Sequence, residues 1–136
     1  MFTQASGEYN IEGYQKTPST VFADGDAVTT TAGLLVKANA ATTRENIVGI
    51  IQRAVLATDA DYASQSVVPV LVTQDSNEEF IAPVLTGSAT QAMVNTSYNL
   101  HANGQGIDVT ATTLGIFKIT AVLSATLVKG RFNSSL

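Results

Sequence analysis

The feature that most constrains the fold of this 136-residue chain is the shortness of its apolar runs. The run from Ser66 to Thr73 is eight residues long and rich in β-branched residues, which is typical of a buried strand. Turn signals separate such runs at regular spacing, and this pattern favours a sandwich or a barrel. We therefore predict an all-β protein that folds as a single compact β-barrel or β-sandwich.

The body of the chain is predicted to contain a series of short strands separated by turns. They are predicted at residues 27–31, 34–38, 66–73, 79–85, 98–101, 107–110, 115–123 and 125–132. The turn signal at 74–77 predicts that the strands on either side of it form a hairpin. Pro69 lacks a backbone N–H, so its strand is expected at a sheet edge or to be bulged there.

Two segments show helical features within this β-rich pattern. The segment 42–57 begins with Thr42 and Glu45, as in a capping box, and its apolar residues follow a helical spacing. Gly49 and the β-branched residues around it favour a strand instead. The segment 88–94 is the best candidate for one short helix, with Ser88 as its cap.

The first twenty residues lack the periodicity of the rest of the chain. Phe2, Tyr9, Ile11 and Tyr14 are scattered among glycines and polar residues with no helical or strand period. One interpretation is a frayed terminus. The other is an extended N-terminal arm, residues 1–20, that becomes ordered only when it binds a partner. Residues 21–136 would then form the β-domain.

The charge of the chain is low and unevenly distributed. Charged residues are 13% of the sequence, against about 25% in an average soluble domain, which suits a subunit packed against neighbours. No Lys or Arg occurs from Ala54 to Phe117, and the net charge is −4, so we expect no nucleic-acid partner. No run approaches the roughly 18 apolar residues of a membrane span, so no membrane partner is expected either.

The sequence contains few residues that support catalysis or metal binding. His101 is the only histidine and there is no cysteine, so a zinc site or a His-based triad is not expected. The pairs Asp24/Asp26 and Asp59/Asp61 lack the further oxygen ligands of a calcium site, and turn capping is the favoured interpretation. We predict no catalytic, cofactor-binding or metal-binding residues, no cofactor, and no enzymatic activity.

An ordered set of short motifs resembles a known family. The set includes Lys16-Thr-Pro-Ser, Phe22-Ala-Asp-Gly-Asp-Ala-Val, Ile47-Val-Gly-Ile-Ile, Thr58-Asp-Ala-Asp-Tyr, Val68-Pro-Val-Leu-Val, Glu79-Phe-Ile-Ala-Pro-Val, Tyr98-Asn-Leu, Ile107-Asp-Val-Thr and the 115–132 hairpin ending in Arg131-Phe-Asn. From about Lys16 onward the chain is similar to the small capsid decoration, or cement, proteins of tailed double-stranded DNA bacteriophages. The motifs cover most of the body in order.

The resemblance implies a structural virion protein on the outer capsid surface. Its partners would be the major capsid protein and other copies of itself, as a trimer at three-fold positions, and it also favours a strand around Ile47. The expected capsid or oligomer contacts are Phe2, Tyr9, Ile11, Tyr14, Pro69 and Arg131. The alternative function is a ligand-binding β-module for carbohydrate or a host surface, which Tyr62 and Tyr98 on one exposed face would favour.

Overall fold

Eleven strands form the framework of the computed structural model, which describes residues 1–7, 10–73 and 78–133. The strands are β1 (Thr3–Ser6), β2 (Ile11–Gln15), β3 (Ala27–Thr31), β4 (Leu34–Lys37), β5 (Gly49–Ile51), β6 (Val67–Val72), β7 (Glu79–Thr86), β8 (Ser97–Leu100), β9 (Ile107–Asp108), β10 (Phe117–Ser124) and β11 (Leu127–Phe132). Two single-turn 3₁₀ helices, Arg44–Asn46 and Gln91–Met93, are the helical elements in this part of the chain. The prediction of an all-β fold is confirmed.

Five strands close into a barrel. The first sheet has the order β1-β7-β11-β10-β8-β9, and β9 also pairs in parallel with the second half of β7. The strands β7, β11, β10, β8 and β9 therefore form a closed ring, which we call the closed barrel, and β1 pairs with the first half of β7 outside it. Register shifts in the β10–β11 hairpin fit this closure, because bulges increase the local twist of a sheet.

The second sheet has the order β2-β6-β5-β3-β4 and is covered on both faces. Along its central strands, neighbouring residues alternate between two cores, as strand geometry requires. Ile50 and Leu71 face the closed barrel, whereas Ile51 and Val70 face a second core that also contains Leu35. Burial on both faces explains why the β6 run is continuously apolar instead of alternating.

Several predictions about individual elements are confirmed, whereas the Ser88 cap and the β6–β7 hairpin are wrong. The segment around Ile47 leads into strand β5, and the segment 88–94 contains a short 3₁₀ turn. That turn begins after Thr90 without a side-chain cap, so Ser88 does not cap it. The expected hairpin of β6 with β7 does not form, because β6 pairs with β2 and β5 while β7 pairs with β1, β11 and β9.

Pro69 lies in a strand with neighbours on both sides and not at a sheet edge. It is opposite Gly13 on β2, and its carbonyl accepts a hydrogen bond from the Gln52 N–H at 2.9 Å. The backbone N and O atoms of one residue in a strand point towards the same neighbouring strand. The position where Pro69 lacks an N–H therefore faces Gln52, just beyond the end of β5. A proline is therefore accommodated without loss of a ladder bond between paired strands.

The described residues of the predicted arm are paired strands. β1 pairs with β7 and β2 with β6, each in an antiparallel ladder. Phe2 is only 3% exposed and lies in the core of the closed barrel, which gives the start of the chain an apolar anchor. The segment thus orders against its own domain, and the boundary between 1–20 and 21–136 stays a prediction.

Candidate functional site

An open groove runs along the edge of β1 that faces away from β7. One edge of this strand is hydrogen-bonded to β7, and the other borders a cavity of about 430 Å³. The cavity is lined by Met1, Phe2, Thr3, Gln4, Ala5, Ser6, Gly7, Asp24, Gln52 and Leu71. An edge strand beside a groove presents backbone donors and acceptors to which another extended segment can add.

An exposed apolar patch adjoins this groove on the pair β2–β6. Ile11 lies opposite Leu71, Gly13 opposite Pro69, and Gln15 opposite Val67, so these residues share one face. Val67 is 62% exposed and Ile11 38% exposed, while Leu71 also lines the groove. The groove and the patch are therefore contiguous, and we call them together the N-terminal face.

Gly13 leaves room for the Val67 side chain on this patch. A Cβ atom at Gly13 would lie 2.7 Å from Val67 Cγ1, closer than side-chain packing allows. The absence of a side chain lets Val67 lie across the strand pair, which leaves its isopropyl group on the surface. An exposed valine in this setting adds apolar area that a partner could cover.

The structure brings two of the predicted contact residues together and buries a third. Ile11 and Pro69 both lie on the N-terminal face. Phe2 is inside the domain, where its ring centroid is 5.0 Å from that of Phe132 and 5.8 Å from that of Phe117, so it is not available as a surface anchor. Tyr9 lies outside the described residues.

Tyr14 points to the opposite face of β2 from Ile11. Its ring packs against the second core, and its hydroxyl donates to Glu12 Oε2 at 3.4 Å. Burial, with the Glu12 carboxylate beside it, raises the pKa of Tyr14 above its ordinary value. Its position favours a role in the second core, which the apolar spacing of the segment did not indicate.

Arg131 belongs to a separate surface on the outside of the closed barrel. We call Lys118, Lys129, Arg131 and Glu79 the basic strip. Glu79 lies 3.8 Å from the Arg131 guanidinium and 4.0 Å from Lys129 Nζ, and Lys118 is directly opposite Arg131. The strip was visible in sequence only as a cluster of three cations near the C-terminus.

Asp26, in the pair Asp24/Asp26, joins two parts of the fold. Asp26 is fully buried, and its carboxylate accepts hydrogen bonds from the Ala23 N–H at 2.8 Å and from Gln105 Nε2 at 2.7 Å. Lys37 Nζ lies 3.5 Å away. Gln105 belongs to the β8–β9 loop, so this carboxylate joins the second sheet to the closed barrel.

The pair Asp59/Asp61 caps a turn and binds an arginine. Asp59 accepts the Leu56 N–H at 2.9 Å, while Asp61 accepts from both Arg53 Nη1 at 2.8 Å and Arg53 Nη2 at 2.6 Å. The Arg53 hydrogen bonds, followed by one from Ser66, hold the pKa of the Asp61 carboxyl well below its ordinary range. A bidentate pair of this kind fixes a loop more firmly than a single-point ion pair.

No group of three or more His, Asp and Glu side chains suited to a metal ion occurs within residues 1–7, 10–73 and 78–133. Nδ1 of His101 accepts the Asn103 N–H at 3.3 Å within its own turn. Tyr98 is buried in the barrel core and Tyr62 packs against the second core. The two tyrosines therefore do not form the exposed aromatic face that would favour carbohydrate binding.

Comparison of this chain with known protein families, with curated proteins and with solved structures found no match. Across the part of the chain that the structure describes, no helix has the length and apolar character to cross a membrane.

Proposed function

We propose that this protein is a non-enzymatic structural protein of a tailed-phage virion, which decorates the outside of the capsid by binding the major capsid protein. The observation that carries the proposal is the N-terminal face, where the edge of β1 that faces away from β7 adjoins an exposed apolar patch. The ordered motifs that resemble capsid decoration proteins support it, and so does the all-β fold.

The N-terminal face would bind an extended segment of the capsid protein. Backbone groups on the edge of β1 that faces the groove would hydrogen-bond to the segment, and Ile11, Val67 and Pro69 would cover its apolar side chains. The groove is open and the patch is exposed, so we expect each contact to be modest. Trimers at three-fold positions, which we propose as the bound form, would multiply these contacts by avidity.

The test is binding of the purified full-length chain to undecorated phage heads, measured by co-sedimentation. We expect saturable binding, and we expect Val67→Asp to weaken it about tenfold or more, because a buried unpaired charge is costly. Leu123→Asp is the matched control, since Leu123 is 52% exposed on the closed barrel and away from the N-terminal face.

Two results would overturn the proposal. The first is a folded wild-type protein that fails to bind heads at any concentration. The second is equal binding by Val67→Asp and Leu123→Asp, which would show that the N-terminal face does not contact the capsid. Circular dichroism of each variant separates lost binding from lost folding.

A further inference from the structure

An asparagine followed directly by a glycine lies in the β8–β9 loop. Asn103 is exposed, and the next residue is Gly104. Oδ1 of Asn103 accepts a hydrogen bond from the Gln105 N–H at 2.9 Å. A bond from an asparagine side chain to the backbone two residues on folds the side chain back over the peptide between them. The side-chain carbonyl carbon of Asn103, Cγ, is therefore held next to the Gly104 peptide.

The groups around Asn103 fit one intramolecular reaction. The backbone N of Gly104 is a nucleophile whose attack on Asn103 Cγ closes a succinimide ring. Negative charge develops on Oδ1 during that attack, and the Gln105 N–H already donates to this oxygen. A backbone N–H aimed at a developing oxyanion stabilises the transition state of acyl transfer. Gly104 also has no side chain to crowd the approach of its N to the carbonyl carbon.

We propose that Asn103 is a site of spontaneous deamidation, which converts it to aspartate and isoaspartate through a cyclic succinimide. The Gly104 N forms a bond to Asn103 Cγ, the bond from Cγ to the side-chain nitrogen breaks, and the proton of the Gly104 N–H leaves with the ammonia. One water molecule then opens the ring at either of its two carbonyl carbons. One opening gives aspartate, and the other gives isoaspartate, in which the backbone runs through the former side chain. This inference goes beyond the proposed binding to capsids.

The folded loop slows this reaction through one hydrogen bond. The Gly104 N–H donates to the His101 carbonyl oxygen at 3.0 Å, and this bond must break before the Gly104 N can attack. Loops open locally at a lower free energy than core strands do, so the ring forms from a loop that has opened while the domain stays folded. We therefore expect deamidation to be slower in the folded chain than in the unfolded chain, and its rate to follow the opening of the β8–β9 loop.

The place of Asn103 in the fold makes the isoaspartate product disruptive. The Gly104 carbonyl oxygen accepts the Ala27 N–H at 2.8 Å, and Gln105 Nε2 donates to the Asp26 carboxylate at 2.7 Å. Isoaspartate adds one carbon to the backbone directly before both contacts. Loss of the Gln105 donor would leave the fully buried Asp26 carboxylate with one hydrogen bond fewer, which is destabilising. Deamidation should therefore loosen the attachment of the β8–β9 loop to the second sheet.

Asn95 is a matched control within the same chain. It is also exposed, and the N–H of the next residue, Thr96, donates to the Met93 carbonyl oxygen at 3.0 Å. Gly104 makes the same bond, to the third residue back, at the same length. The difference is the β-branched side chain of Thr96, which crowds its backbone N. Asn95 should therefore stay intact under conditions that convert Asn103.

The test is incubation of the purified full-length chain in mildly alkaline buffer, followed by peptide mass spectrometry with freshly prepared protein digested in parallel. We expect the mass change of deamidation at Asn103 and none at Asn95. Unfolding the chain in urea should raise the rate at Asn103 about tenfold or more, because the loop no longer has to open. Asn103→Gln should abolish the change at this position, since glutamine has to close a larger ring.

Two results would overturn the inference. The first is an Asn103 that stays unmodified in the folded chain while the unfolded chain reacts, because the folded loop would then block the attack. The second is equal modification of Asn95 and Asn103, which would assign the reaction to exposure alone.

Urea denaturation of the separated products gives a second readout. The isoaspartate form should unfold at a lower urea concentration than the fresh chain. Asn103→Asp adds the same charge without the extra backbone carbon, so it should lose less stability. Equal losses would assign the effect to charge and contradict the proposed disruption of the loop. Neither readout uses phage heads, so both are independent of the proposed function.

Discussion

The closed barrel and the second sheet solve the same problem of strand edges in different ways. The barrel closes through main-chain pairing, because β7 bonds to both β11 and β9. Among the described residues, the second sheet approaches closure at one end, where Lys16 forms a main-chain bridge with Leu35 on β4. Main-chain pairing of every strand leaves no free edge within the ring, whereas the second sheet has one isolated main-chain bridge at this end, which side-chain contacts supplement.

The side chains that complete the second sheet hold the loop between β5 and β6. Lys16 is fully buried, and its Nζ donates to the carbonyl oxygens of Ser64 at 2.7 Å and Tyr62 at 3.1 Å. Arg53 holds the same loop through Asp61. This comparison predicts that the stability of the closed barrel depends mainly on the volume of its core side chains. The stability of the second sheet should depend instead on a few polar contacts.

The largest expected effect is the loss of an aromatic ring from the barrel core. Phe117 is fully buried, and its ring meets that of Phe132 edge-on at a centroid distance of 5.2 Å. We expect Phe117→Ala to lower the free energy of unfolding by about 3–5 kcal/mol, measured by urea denaturation. Leu123→Ala, at an exposed position of the same strand, should change it by less than about 0.5 kcal/mol. Similar losses for both variants would contradict an aromatic core that stabilises the barrel.

The aromatic core was only partly predictable from the sequence. The alternation of the last hairpin predicts that Phe117, Ile119 and Leu123 lie on one face. Phe117 and Ile119 are buried, but Leu123 is 52% exposed, because a register shift after Ile119 interrupts the alternation. Phe2 was not assigned to this core, because no local sequence pattern near the start of the chain indicates which sheet its ring packs against. Its burial is determined by a tertiary contact and not by local periodicity.

The contact between the β8–β9 loop and the second sheet should be the next most sensitive to substitution. Gly104 has φ of +70°, and a Cβ atom there would lie 2.5 Å from the Ala38 carbonyl oxygen. Gly33 has φ of +83° with nothing within 4 Å of such an atom. Gly33→Ala should therefore cost about 1–2 kcal/mol of backbone strain, and Gly104→Ala about 1–3 kcal/mol more because backbone must move.

Thermal and urea unfolding of the two glycine variants separate strain from close packing. Equal costs would mean that the β8–β9 loop is not packed tightly against the second sheet. That packing could not be predicted from the sequence, where Gly104 reads only as a residue suited to a turn. The Asp26–Gln105 hydrogen bond was missed for the same reason, since it joins residues far apart in the chain.

A buried lysine distinguishes the second core from the first. We expect Lys16→Met to cost about 1–3 kcal/mol in the free energy of unfolding, because two carbonyl oxygens lose a charged donor. Hydrogen exchange should show increased opening of the 56–66 loop, with the barrel strands unchanged. Unchanged or increased stability would indicate that the cost of burying the ammonium group exceeds the value of its hydrogen bonds.

The burial of Lys16 is one feature of the second sheet that the sequence did not predict. Lysine is almost never fully buried unless it is paired, so its role could not be read from composition. The strand β6 was predicted correctly because a short apolar run rich in β-branched residues favours a buried strand, but its partners were not. A strand covered on both faces has no alternation to indicate which neighbour it will join.

The smallest expected effect concerns the Arg53–Asp61 pair and depends on pH. The folded-state pKa of Asp61 is lowered by its hydrogen bonds to Arg53 and then Ser66. Because a lowered carboxyl pKa favours the folded state once the group is ionised, this contribution is fully present above the ordinary pKa of about 4. It is lost as pH falls through the folded-state pKa.

We expect Asp61→Asn to lower the melting temperature measurably and by a constant amount between about pH 5 and pH 7, and the difference from wild type to shrink below about pH 4. A double-mutant cycle with Arg53→Gln isolates the pair, because Asp61→Asn should have much less effect once the guanidinium is absent. A difference that instead grows as pH falls would have the wrong sign for this linkage. An unchanged effect in the Arg53→Gln background would assign the lowered pKa to Ser66, and would remove the arginine from the contacts that hold the loop over the second sheet.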